Sequence, residues 1–68
     1  MNHATVTFSV YGDHHAELKE RAEDGLAAYL GVEVEDLPSV AMYEMQVEEY
    51  VEMDSEYNFK ATVIARVK

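Results

Sequence analysis

The stretch Ser39–Lys68, SVAMYEMQVEEYVEMDSEYNFKATVIARVK, decides how the rest of the chain must be arranged. Read with a period of two, its first arm puts Ala41, Tyr43, Met45, Val47, Val51 and Met53 on one face. Val40, Met42, Glu44, Gln46, Glu48, Tyr50 and Glu52 fall on the other. The second arm alternates Tyr57, Phe59, Ala61, Val63, Ala65 and Val67 with Asn58, Lys60, Thr62, Ile64, Arg66 and Lys68. Such alternation marks strands with one buried face. The spacing predicts one long β-hairpin turning at Asp54-Ser55-Glu56. Pairing Met53 with Tyr57 sets Val51 against Phe59, Val47 against Val63 and Met45 against Ala65. It also sets Glu44 against Arg66 and Tyr50 against Lys60, all favourable cross-strand neighbours.

Upstream, residues 3–11 read as a first strand, with Ala4, Val6, Phe8 and Val10 alternating with polar residues and Tyr11. Gly12 breaks it, and Asp13 is placed to cap the helix that follows. From His14 to Leu30 the spacing is helical, gathering Leu18, Ala22, Gly25, Leu26 and Tyr29 on one side with Leu30 on the flank. Gly31 supplies a left-handed C-cap and Val32 its apolar contact. Glu33, Glu35 and Asp36 then crowd acid at the unfavourable end of that helix dipole. Leu37-Pro38 is expected to extend the chain into the long strand.

The order is strand, helix, strand, strand. A right-handed crossover makes the first two strands parallel, and the third fits antiparallel between them. The expected fold is α+β: a single β-α-β-β domain over residues 1–68, with a three-stranded sheet in the order 1-3-2. One helix packs on one face, and the C-terminal hairpin is long.

That hairpin is longer than its cover. A strand from Val40 to Met53 spans about 46 Å at ~3.3 Å per residue, whereas the helix reaches only ~26 Å at 1.5 Å per residue. Val51, Met53, Tyr57 and Phe59 would then stand on an uncovered inner face. Large apolar side chains left in water forgo roughly 1.5–3 kcal/mol each, and exposed apolar patches mark interfaces. These four, with Tyr50 and Glu49 beside them, are the candidate interface residues, and another copy of the chain is the expected occupant. Glu49 interrupts the inner pattern, where a bulge at Glu48-Glu49 would bend the hairpin.

Composition points the same way. Sixty-eight residues bury too little surface for comfortable stability, and the absence of cysteine removes disulfides as a remedy. Association with other chains is the remedy left. All fourteen acids lie between Asp13 and Glu56 with only Lys19 and Arg21 among them, a local balance of −12 within a net charge of −9. Tyr57–Lys68 carries Lys60, Arg66 and Lys68 and no acid. This sign disfavours nucleic acid and anionic membranes and suits a basic protein partner. No targeting segment or membrane span is visible, so a cytoplasmic location is expected.

Catalytic chemistry is poorly represented, and no catalytic, cofactor-binding or metal-binding residue is assigned. Asp13, His14 and His15 come nearest to a ligand set, but neighbouring helical side chains diverge by about 100°, and they read as polar residues at a helix start. Glu49 is the one acid on an apolar face. No serine or threonine is set beside a histidine and an orienting acid, and Gly12, Gly25 and Gly31 form no phosphate-cradling motif.

The element order, the length and Tyr57-Asn58 ahead of an alternating strand resemble the dodecins, hollow dodecameric flavin carriers. That likeness implies an oligomeric flavin-binding alternative, with Asn58 standing where the family has a flavin-binding Gln. The chain has no Trp for the flavin to stack on; Tyr43 is the nearest substitute. Size and acidity also look like small bacteriophage accessory proteins that bind host proteins. An acidic inhibitor that mimics nucleic acid is the remaining alternative. The reading that results is a small acidic, non-enzymatic interaction protein, a homo-oligomer joined through its hairpin.

Overall fold

The computed structural model describes residues 4–50 and 57–68. Strand β1 (Thr5–Gly12) leads to helix α1 (His15–Leu30). A 3-10 turn (Val34–Asp36) and the short helix α2 (Leu37–Val40) then lead to β2 (Ala41–Glu49) and β3 (Phe59–Val67). β3 lies in the middle, antiparallel to both neighbours, so the order is β1-β3-β2 and the outer strands run parallel to each other. The α+β class, the three strands and their order are those the sequence pattern predicts; α2 is additional.

The core forms where α1 crosses the sheet. On β3, Ala61, Val63 and Ala65 have no exposed surface. Two of these three are alanines, so a helix can seat close to the central strand. Leu18, Ala22 and Leu26 of α1 are buried too, as the helical spacing predicts, with Leu26 in one cluster with Ala65. Gly25 lies over β1: a Cβ there would come within 3.2 Å of the Phe8 ring. Tyr29, expected in the core, is instead 70% exposed, and Ala27 is buried. The cause is α2, whose Leu37 packs with Ala27, Leu26, Ala41 and Ala65 and supplies apolar cover on the flank of α1 away from Tyr29.

The C-terminal end of α1 is closed by backbone. Gly31 adopts φ +72°, and the amides of Gly31 and Val32 donate to the carbonyls of Ala28 and Ala27 at 3.3 and 3.0 Å. Val32 packs against the core as the cap motif requires. The start differs from expectation. His14 occupies the cap position without a side-chain bond, and Asp13 turns instead to the residue before β3, where its Oδ1 accepts from the Asn58 amide at 3.2 Å. The Asp13 amide donates to Glu17 Oε1 at 3.3 Å. Gly12 ends β1 without a positive φ.

Leu37-Pro38 also departs from expectation. Leu37 is helical (φ −54°, ψ −45°) and Pro38 stands in the first turn of α2, where its missing N–H costs nothing. Burial of Leu37 outweighs the local bias against a helical residue before proline. Glu35 and Asp36 thus lie at the beginning of a new helical segment, the end that favours acids.

The hairpin register is shifted by two residues from the expected one. Val47 pairs with Ala61, Met45 with Val63, Glu44 with Ile64, Glu48 with Lys60 and Glu49 with Phe59. A shift of two keeps every side chain on its face, so the apolar pattern does not distinguish the two registers. Pairing stays in step through Glu49, and the Tyr50 amide donates to the Asn58 carbonyl at 2.9 Å. The ladder therefore has no bulge at Glu48-Glu49, and Tyr50 faces Asn58, not Lys60. The expected turn at Asp54-Ser55-Glu56, and the interface positions Val51 and Met53, lie outside the described residues.

The helix cap provides a direct check on this architecture. Gly31→Ala forces a side chain into left-handed backbone and is expected to lower unfolding free energy by about 1–2 kcal/mol, with Gly31→Asn costing less. Urea denaturation of the three proteins measures it.

Candidate interaction surface

With β3 central, both β1 and β2 are edges, and the ladder fixes which of their backbone groups face outward. The Val67 amide donates to Ala4 and the Lys68 amide to Val40, at 2.9 and 2.8 Å. Antiparallel pairs alternate between bonded and non-bonded residues. Even-numbered residues of both β1 and β2 therefore bond to β3. Thr5, Thr7, Ser9 and Tyr11 turn their N–H and C=O to the open side of β1, and Tyr43, Met45, Val47 and Glu49 do so on β2. No described strand lies beyond either edge.

The two edges differ in charge. β2 carries Glu44, Glu48 and Glu49 and no base, all three acids exposed. β1, TVTFSVYG, carries no charge at all. α1 accentuates the contrast. Its Glu23 faces β2, while Arg21 reaches the β1 side, where its guanidinium donates to the Tyr11 carbonyl and pairs with Glu17 at 3.3 Å.

Beside β2, α1, α2 and the strand enclose an open groove of about 310 Å³ lined by Glu23, Leu37, Pro38, Ala41, Met42 and Tyr43. A second depression of about 380 Å³, on the sheet face away from α1, shares Met42 and Tyr43 and adds Glu44, Ile64 and Arg66. Met42, between the two, is 67% exposed. Tyr43 is half-buried, and its hydroxyl donates to the Glu23 carboxylate. Burial pushes the Tyr43 phenol above its ordinary value of 10.0, and the charge of Glu23 and their hydrogen bond push it further.

The interface residues expected from the sequence are placed as follows. Tyr50 packs edge-on against Tyr11, with ring centroids 5.1 Å apart. Tyr57 lies 6.3 Å from Tyr11 and under the Arg21 guanidinium at 5.2 Å. Phe59 meets the His15 ring edge-on at 5.2 Å. The expectation that nothing in the chain covers Tyr57 and Phe59 is thus corrected: the start of α1 and the end of β1 reach them, because the β1–β3 register sets Gly12 opposite Phe59. Glu49 is exposed opposite Phe59.

The other candidates do not assemble into a site. His15 is occupied with Phe59, and among the described residues no three His, Cys, Asp or Glu side chains cluster to hold a metal ion. Asn58 pairs across from Tyr50 and Tyr43 from Ala65, seven residues along the ladder or about 23 Å, so they do not converge within one protomer. Among the described residues no helix is long and apolar enough to cross a membrane.

Comparison with known protein families, with curated proteins and with solved structures finds no match to this chain.

The Glu23–Tyr43 contact sets a pH dependence. A raised folded-state phenol pKa means that the stability it contributes is complete below pH ~10 and is lost as pH rises through the higher folded value. Unfolding free energies of wild type and Tyr43→Phe, measured from pH 8 to 11, should differ by an amount that declines above pH 10. A pH-independent difference contradicts the contact.

Proposed function

We propose that the protein is a small acidic, non-enzymatic interaction protein that takes a basic, extended segment of another protein along the open edge of β2. The observation that carries this reading is the coincidence of three features on one edge. Outward backbone groups at Tyr43, Met45 and Val47 can hydrogen-bond an added strand, the mode in which main chain supplies affinity and side-chain pockets supply selectivity. Met42, an adaptable apolar side chain, stands between two grooves. Glu23 lines one groove and Glu44, near Arg66, the other, while Glu48, across from Lys60, and Glu49 carry the acid further along the strand.

The same acids disfavour phosphate backbones, so a basic protein segment suits this edge better than nucleic acid. They also keep β2 from pairing with acidic strands, a form of selectivity by repulsion. Self-association belongs to this proposal as well, and its surface is argued below.

A fluorescent peptide alternating Lys and Val tests the reading. Binding should weaken steeply from 50 to 300 mM salt. Reversing two acids, Glu44→Lys with Glu48→Lys, should weaken it about tenfold or more, since each edge charge contributes up to ~1 kcal/mol and 1.4 kcal/mol is tenfold. Lys19→Glu, on the exposed side of α1, should not. Salt-insensitive binding, or equal binding of a Glu–Val peptide, overturns it.

A further inference from the structure

The opposite edge has a different chemistry. Edge strands are ordinarily blunted by charge, proline or a bulge because they offer a template to other strands. β1 has none of these over Thr5–Gly12. We infer that a second copy of this chain occupies it, through antiparallel β1–β1 pairing about a twofold axis at Thr7, giving a continuous six-stranded sheet.

The register follows from which groups are available. Thr5, Thr7 and Ser9 face outward, whereas the Tyr11 carbonyl is taken by Arg21. Only a twofold axis through Thr7 lets all three pair with their counterparts: Thr7 with Thr7, and Thr5 with Ser9 in both directions. That arrangement makes six backbone bonds. On the outer face it opposes hydroxyl to hydroxyl, and on the face beneath α1 it opposes Val6 to Phe8, both favourable cross-strand pairs. The paired strands themselves bring no charge together. The same operation on β2 brings its glutamates close to one another.

The helices fit this arrangement. α1 lies over β1 and β3. With strands ~4.8 Å apart, an axis above the β1–β3 boundary stands about 10 Å from its symmetry mate, within the usual range for packed helices. The α1 flank on that side is marked by Arg21 at Tyr11 and by Gly25 at Phe8. Tyr29, one turn beyond Gly25, is 70% exposed in the single chain and would be covered by the partner helix. Small Gly25 and Ala28 permit close approach.

The chain lacks cysteine, so Thr7→Cys reports the axis directly. Strand pairs bring opposed Cα atoms to about 5.5 Å, within disulfide reach, whereas Thr5 and its own counterpart stand on the order of 14 Å apart, beyond it. Mild oxidation should crosslink Thr7→Cys into a dimer and leave Thr5→Cys uncrosslinked. Light scattering of the wild type should show mass rising to at least the dimer. Association of two chains of net charge −9 should strengthen with salt, opposite in sign to peptide binding at β2, so each proposal stands or fails separately. Monomeric wild type at every concentration, or an oligomer in which Thr7→Cys fails to crosslink, overturns the inference.

Discussion

Everything in this structure depends on β3 being paired on both sides. Its odd-numbered residues bond to β1 and its even-numbered residues to β2, so the central strand has no free backbone and the outer strands each have one free side. The same strand sets how closely α1 approaches. Ala61 and Ala65 flank Val63 along the line where the helix crosses, and five of the nine buried apolar residues among those described are alanines. A core built from alanine brings elements close but buries little apolar area per residue, roughly 0.8 kcal/mol for each methylene-sized group. Stability gained from another chain matters more for such a domain than for one with a large core.

The chain resolves its two open edges in opposite ways. β2 carries three exposed acids, Glu44, Glu48 and Glu49, and on the function proposed above this favours a basic strand over a copy of itself. β1 is neutral and self-complementary, with α1 presenting glycine, alanine and an exposed tyrosine above it. Arg21 marks the boundary by closing the last outward carbonyl of β1. The uneven charge of the sequence thus acquires a spatial meaning: acids of β2 and Glu23 collect on one side of the molecule, and the uncharged strand lies on the other.

Much of this was legible in the sequence, and the failures are instructive. Alternation at Ala61, Val63 and Ala65 and helical spacing at Leu18, Ala22 and Leu26 are strong because each concerns one element and one face. Gly31 is legible because a single backbone requirement dictates it. The hairpin register is not, since a two-residue slide leaves every face unchanged; the backbone pairing of Glu49 with Phe59 and of Tyr50 with Asn58 is what distinguishes the alternatives. Helical projection places Tyr29 in the core because it cannot show α2, whose Leu37 supplies cover on the other flank. The edges were missed as sites for a related reason. Order 1-3-2 already implies that β1 and β2 are outermost, but which backbone groups face out follows only from the ladder.

Amide hydrogen exchange, resolved residue by residue at low and high protein concentration, tests the central claim that the two edges are free and unlike. At low concentration the amides of β3 should be the most protected of the sheet, while those of Thr5, Thr7, Ser9, Tyr43, Met45 and Val47 exchange quickly. At high concentration Thr5, Thr7 and Ser9 should gain protection and Tyr43, Met45 and Val47 should not. Protection gained on β2 instead, or already uniform across both edges at low concentration, would contradict the account.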